Sequence, residues 1–158
     1  MSSQQAKNFH SITIGTKNTW DDWHLVPTSR PLVSPPPPIT SYADLVGGDG
    51  SLDLTVSLTT KPTYGNRSGS WDFYVINPGQ IVTAEAITAL WATRYSEIMN
   101  YLHGKSFDVI LDDDPNYFYT GRLAVTSWRS EKDNSTITIN YNFDPYKRGV
   151  SDHSIKRF

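Results

Sequence analysis

The sequence contains no cysteine among its 158 residues. That absence removes disulfides, thiolate zinc sites, iron–sulfur clusters and cysteine nucleophiles together, and it is compatible with assembly in a reducing cytoplasm. An excess of either charge sign is missing too. Fourteen Lys and Arg against sixteen Asp and Glu leave a net charge of -2, so no overall basic field attracts nucleic acid. No run approaches the roughly 18–20 apolar residues of a membrane span. The polar start Met1-Ser2-Ser3-Gln4-Gln5-Ala6-Lys7 has no apolar stretch behind it, unlike a secretory signal.

Motifs that carry chemistry are equally scarce. His10, His24, His103 and His153 are far apart, and none falls in an H-x-x-x-H or H-E-x-x-H frame. Gly47-Gly48-Asp49-Gly50-Ser51 has no following Lys and precedes a strand pattern, whereas a phosphate-cradling loop needs a cation and a helix N-terminus. Gly65 to Ser70 contains no G-x-S-x-G frame. Asp112-Asp113-Asp114 places three carboxylates on adjacent residues, pointing in different directions, whereas a calcium loop spaces its ligands at alternate positions. A solvated turn before Pro115 is the better reading. No enzyme, no catalytic residue, no metal ligand and no cofactor is therefore expected. Asn66-Arg67-Ser68 and Asn134-Ser135-Thr136 match the glycosylation pattern, but without a secretory signal they read as turns.

What the chain does have is aromatic residues, 13% of the total, including Trp20, Trp23, Trp71, Trp91 and Trp128. A domain this small buries only some of these rings, so others are expected in interfaces, where a large apolar face with one polar atom is useful. The candidate interface residues are Trp20, Trp23, Leu25, Arg30 and Trp128.

Residues 1–8 are polar and expected to be flexible, and a short strand follows at Phe9–Ile14. Residues 15–40 form a long Pro-rich loop, because Pro27, Pro31 and the run Pro35 to Pro38 exclude both a helix and a central strand. Its two tryptophans and Leu25 favour a fixed shape over a disordered linker. Leu52, Leu54, Val56 and Leu58 alternate with polar residues and predict a half-buried strand. Trp71, Phe73 and Val75 share one face of the next strand.

The helix is the clearest element. Thr83 is placed as N-cap and Glu85 in the first turn. Ile87, Leu90, Trp91, Tyr95, Ile98, Met99 and Leu102 form the apolar stripe. His103 is expected as a cation at the C-terminus, and Gly104 as the left-handed stop. Strands are then expected at Phe107–Leu111, Tyr117–Trp128 and a run in which Ile137, Ile139, Tyr141 and Phe143 alternate with polar residues. A polar C-terminal tail, 148–158, completes the chain. This order reads as an α+β domain, with one helix on an antiparallel sheet or sandwich.

The stretches Asn18 to Pro27, Gly47 to Thr55, Asn66 to Phe73, Tyr95 to Lys105, Val109 to Pro115 and Tyr117 to Arg122 together resemble the distal tail proteins of long-tailed bacteriophages and related prophage tail components. The resemblance runs in order from about residue 10 to 147. It implies a tail-tube-like β-sandwich with a flanking helix and a C-terminal β-meander, as one ring-forming domain over 9–147. It further implies a ring, usually a hexamer, whose partners are copies of itself, the tail tube protein and the tip or baseplate proteins. DNA would pass through its channel without specific binding. The protein would sit at the distal end of the tail after assembly in the host cytoplasm. Many such proteins add a carbohydrate-binding domain. With a chain that ends soon after the ring domain, adhesion is expected to fall to its partners. Three other functions compete: a major tail tube subunit, a carbohydrate-binding module using Trp20, Trp23 and Trp128 as stacking platforms, and a tip hydrolase, for which no catalytic set is visible.

Overall fold

In the computed structural model, alternating side chains build the centre of the molecule. Residues 10–44, 46–55, 61–76, 84–131 and 134–156 are described, apart from the side chains of residues 44, 84, 85 and 87. Strands β1 (Ile12–Ile14), β2 (Lys17–Asn18), β3 (Leu25–Pro27), β4 (Pro38–Ile39), β5 (Tyr42–Asp44), β6 (Ser51–Asp53), β7 (Thr63–Tyr64) and β8 (Arg67–Val75) precede the helix α1 (Ala84–Leu102). Strands β9 (Ser106–Leu111), β10 (Tyr117–Ser130), β11 (Ser135–Phe143), β12 (Lys147–Gly149) and β13 (Ile155–Lys156) follow it.

The main sheet has the order β2-β1-β9-β10-β11-β8-β3, and its pairings are antiparallel. Period-two burial sets its register. Phe73 pairs with Ile137 and Trp71 with Ile139, so both inward sets meet on one face. Leu123 and Val125 continue that face opposite Tyr141 and Ile139. A β-bulge between Val125 and Ser127 then shifts the phase by one residue, and Trp128 pairs with Ile137. Tyr141 and Phe143 stack with ring centroids 4.9 Å apart, and Trp71 lies 4.6 Å from Tyr141. Each fully buried large apolar side chain contributes about 1.5–3 kcal/mol, so this cluster supplies much of the driving force.

The helix seats Trp91, Ile98 and Leu102 in the core, with Tyr95, Met99 and Tyr101 packed against it. Gly104 ends it at φ +77°, as expected for a left-handed stop. The Gly104 N–H then donates to the Leu123 carbonyl at 2.7 Å, tying the helix end to β10. Thr83 and the side chains of Glu85 and Ile87 lie outside the described residues. The result is the α+β sandwich class expected, with mainly antiparallel strands and one helix.

Several local expectations change. Of the strand expected over Leu52 to Leu58, the described residues hold Ser51–Asp53, which pairs with β5 in a hairpin apart from the main sheet. Leu52 is half exposed there, while Val56 and Leu58 fall outside the described residues. The first strand is confined to Ile12–Ile14, and Phe9 lies outside the described residues. Within the segment read as loop, β3 adds to the sheet edge at Val75. The proline run is fastened rather than free: the Ser34 N–H donates to the Tyr141 hydroxyl at 2.8 Å, and Trp71 Nε1 donates to the Leu32 carbonyl at 2.9 Å. Arg67, itself buried, donates from Nε to the Pro145 carbonyl and from Nη1 to that of Ser34. The polar C-terminal segment carries β12 and β13, and β12 pairs with β10.

Candidate functional site

The five interface candidates divide by burial. Trp23 and Leu25 are 1% and 0% exposed and belong to the core. The local chain explains this. Asn18 Oδ1 accepts from the N–H groups of Trp20 and Asp21, and Asp22 Oδ2 accepts from that of Asn18. This tight turn swings Trp23 inward, edge-on to Tyr101 with centroids 5.5 Å apart. Trp20 is half-buried, edge-on to His24. Trp128 is half-buried against Tyr95 of the helix, with centroids 4.7 Å apart. Arg30 is exposed, and its Nε donates to Asp113 Oδ2 at 2.7 Å.

His24 stands where the turn enters β3, in the left-handed region at φ +53°. Its Nδ1 is buried without a hydrogen-bond partner among the described residues. Burial, then the nearby Arg94, hold its pKa below the ordinary 6.5, against smaller opposing effects of Asp21 and Asp22. The depressed folded-state value means that the stabilising contribution is present above pH 6.5 and is lost as pH falls through the folded pKa. Melting temperature should therefore drop on acidification below about pH 6.5. His24→Asn, which tolerates the left-handed backbone and does not titrate, should show a smaller drop. Equal drops by circular dichroism in the two proteins would rule this out.

His103, at the helix end, makes a specific contact with the sheet. Its Nδ1 accepts the Val125 N–H at 3.1 Å, so the ring ties the helix end to β10. The aspartate turn also does more than face water. Asp112 and Asp113 both meet His10 at 3.1 Å, Asp113 meets Arg30, and Asp114 accepts from Lys147 at 2.6 Å. The turn thereby ties together an N-terminal residue, the proline-rich segment and the C-terminal strands. Sequence spacing could not show this, because His10 and Asp112 are 102 positions apart.

Two surfaces remain. The outward face of β8, β10 and β11 presents Ser68, Ser70, Asn140, Asn142 and Arg122 around a shallow cleft of about 640 Å³. Arg122 is engaged there, donating to the Gly104 carbonyl at 2.9 Å. The second surface is the β5–β6 hairpin, which leaves Tyr42, Val46 and Leu52 exposed. Its register, Tyr42 opposite Asp53 and Ala43 opposite Leu52, puts Tyr42 and Leu52 on opposite faces, so each face offers an exposed apolar side chain.

No family model and no curated protein matches the chain. Among solved structures, the chain is similar to the Dit protein (gp 19.1) of phage SPP1, described as a paradigm of the hub adsorption apparatus in phages that infect Gram-positive bacteria. The TM-score is 0.65 at 17% identity, over 90% of this chain and 53% of that one, so the chain spans about half the length of its structural relative. Across nine-tenths of its length, this chain has the fold of a phage distal tail protein.

Proposed function

We propose that this chain is a structural subunit of a phage tail tip. In this reading, six copies close into a ring that joins the tail tube to tip or baseplate proteins, within the virion, and leave a channel for DNA. The observation that carries the reading is the likeness of fold to SPP1 Dit over nearly the whole described chain. The stretches that resemble distal tail proteins in sequence support it independently of the fold.

Two surface features also support it. Ring closure needs a heterologous contact repeated around an axis. The hairpin exposes Tyr42 on one face and Leu52 on the other, apolar side chains that neighbouring copies would cover. A channel wall that lets DNA slide should offer few cations, since phosphate contacts dominate affinity. The face with Ser68, Ser70, Asn140 and Asn142 suits that role, because these side chains are small and uncharged and Arg122 is the one cation among the residues lining the cleft. Trp20 and Trp128 are packed against His24 and Tyr95, which leaves them less available as sugar-stacking platforms.

Negative-stain microscopy of the purified chain, paired with mass measurement in solution, tests the reading. Closed rings with six-fold symmetry are expected. Extended tubes would instead support a tail tube subunit.

A further inference from the structure

The fold brings one imidazole and two carboxylates together in a way that no sequence motif announces. His10 Nδ1 lies 3.1 Å from Asp112 Oδ1 and 3.1 Å from Asp113 Oδ1, and the three donor atoms lie within 4.8 Å of one another. Ligands about 2.1 Å from a zinc-like ion stand about 3.0–3.4 Å apart at neighbouring vertices of an octahedron or tetrahedron. The two His–Asp spacings match neighbouring vertices of such a shell, and the third pair of donor atoms lies within 4.8 Å.

A second observation comes from groups outside this triad. The Ser11 N–H donates to Asp112 Oδ2 at 3.0 Å, and Arg30 Nε donates to Asp113 Oδ2 at 2.7 Å. Asp113 is thus held by Oδ2 with Oδ1 turned to the imidazole, while Asp112 is held through Oδ2 and keeps both oxygens within 3.3 Å of Nδ1. Outer hydrogen bonds that orient carboxylate ligands in this way are the usual support of a metal site. Asp114 is not part of the set: its carboxylate turns to Lys147 and is not among the donor atoms that lie within 4.8 Å of one another.

We propose that His10, Asp112 and Asp113 form a binding site for a divalent transition ion of the zinc class. The imidazole nitrogen decides the class. Calcium takes six to eight oxygens and gains little from nitrogen, whereas imidazole suits zinc, nickel and copper. Three protein ligands leave at least one position open to water or to a partner's side chain. The bound ion fastens the segment before β1 to the β9–β10 turn, where hydrogen bonds and ion pairs now hold it. This inference is independent of the tail-tip reading.

The test uses the full chain, freed of metal with EDTA and then dialysed. Titration with zinc chloride by calorimetry should show one equivalent bound, with a rise in melting temperature. Calcium chloride at the same concentration should give no shift. His10→Gln and Asp113→Asn, at partly exposed positions, should each weaken zinc binding by at least about tenfold and remove the rise. Circular dichroism confirms that the variants are folded, and cobalt absorption bands give a second readout of the same ligands. Failure to bind one equivalent of zinc would overturn the proposal. So would zinc binding that both variants retain at full strength, since that would locate it at other histidines, or an equal shift with calcium.

Discussion

Replacing Trp23 with Ala is expected to destabilise the chain by about 3–5 kcal/mol, the range for deleting a large buried aromatic ring. Trp23 is 1% exposed, a member of the buried core cluster, and lies edge-on to Tyr101. For a chain of this length each kcal/mol moves the melting temperature by roughly 2–4 °C, so a drop of about 10 °C is expected. Denaturant unfolding followed by circular dichroism measures it. A cost under about 1 kcal/mol would mean that the ring is not a core element. The prediction separates two roles for one residue. A tryptophan that only serves an interface would leave the isolated chain as stable as before and alter assembly alone.

The second large effect is expected at Gly121, where β10 runs between β9 and β11. It pairs with Phe107 on one side and Phe143 on the other. A Cβ at this position would lie 1.9 Å from the Asn142 carbonyl oxygen and 2.7 Å from the Phe143 Cα. Those are backbone atoms of the neighbouring strand, so no side-chain rotation relieves the clash. Gly121→Ala should force β10 and β11 apart and cost about 3 kcal/mol, the upper end for overpacking. Gly65→Ala is the control, since its nearest neighbour would be the Pro37 Cγ at 3.4 Å, an ordinary contact. Equal melting temperatures for the two variants would contradict the close approach of these strands.

How much of this was legible in the sequence depends on how local each signal is. The helix and the β8 and β11 strands follow from periodicity, because each buries one stripe or face against a single core. Gly104 is legible for the same local reason. Trp128 is different. Counting by twos from Leu123 and Val125 puts it on the outer face, and only the bulge before Ser127 returns it to the side of Ile137. Leu52 fails in the opposite direction: its alternation reads as half-buried, yet the hairpin lies apart from the main sheet and the residue stays exposed.

Among the candidate interface residues, Trp23 and Leu25 illustrate the limit of composition. A count of aromatics says that some rings must lie outside the core, but not which ones. The choice is made by the turn around Asn18 and Asp22, whose side-chain hydrogen bonds direct Trp23 inward. Arg30, an interface candidate by sequence, pairs with Asp113 of the same chain, a contact that sequence spacing does not reveal. The cluster of His10, Asp112 and Asp113 was invisible for a simpler reason. Metal spacing rules read neighbours in sequence, and this site joins a residue before the first strand to a turn after the helix.

The central claim is that this fold serves as a ring at the distal end of a tail tube. The most direct measurement is electron microscopy of the full chain mixed with preassembled tail tubes from the same phage or prophage. A single six-fold ring capping one end of the tube is predicted, with the channel left open. Absence of the chain from both tube ends, together with failure to bind the tip proteins, would contradict the account.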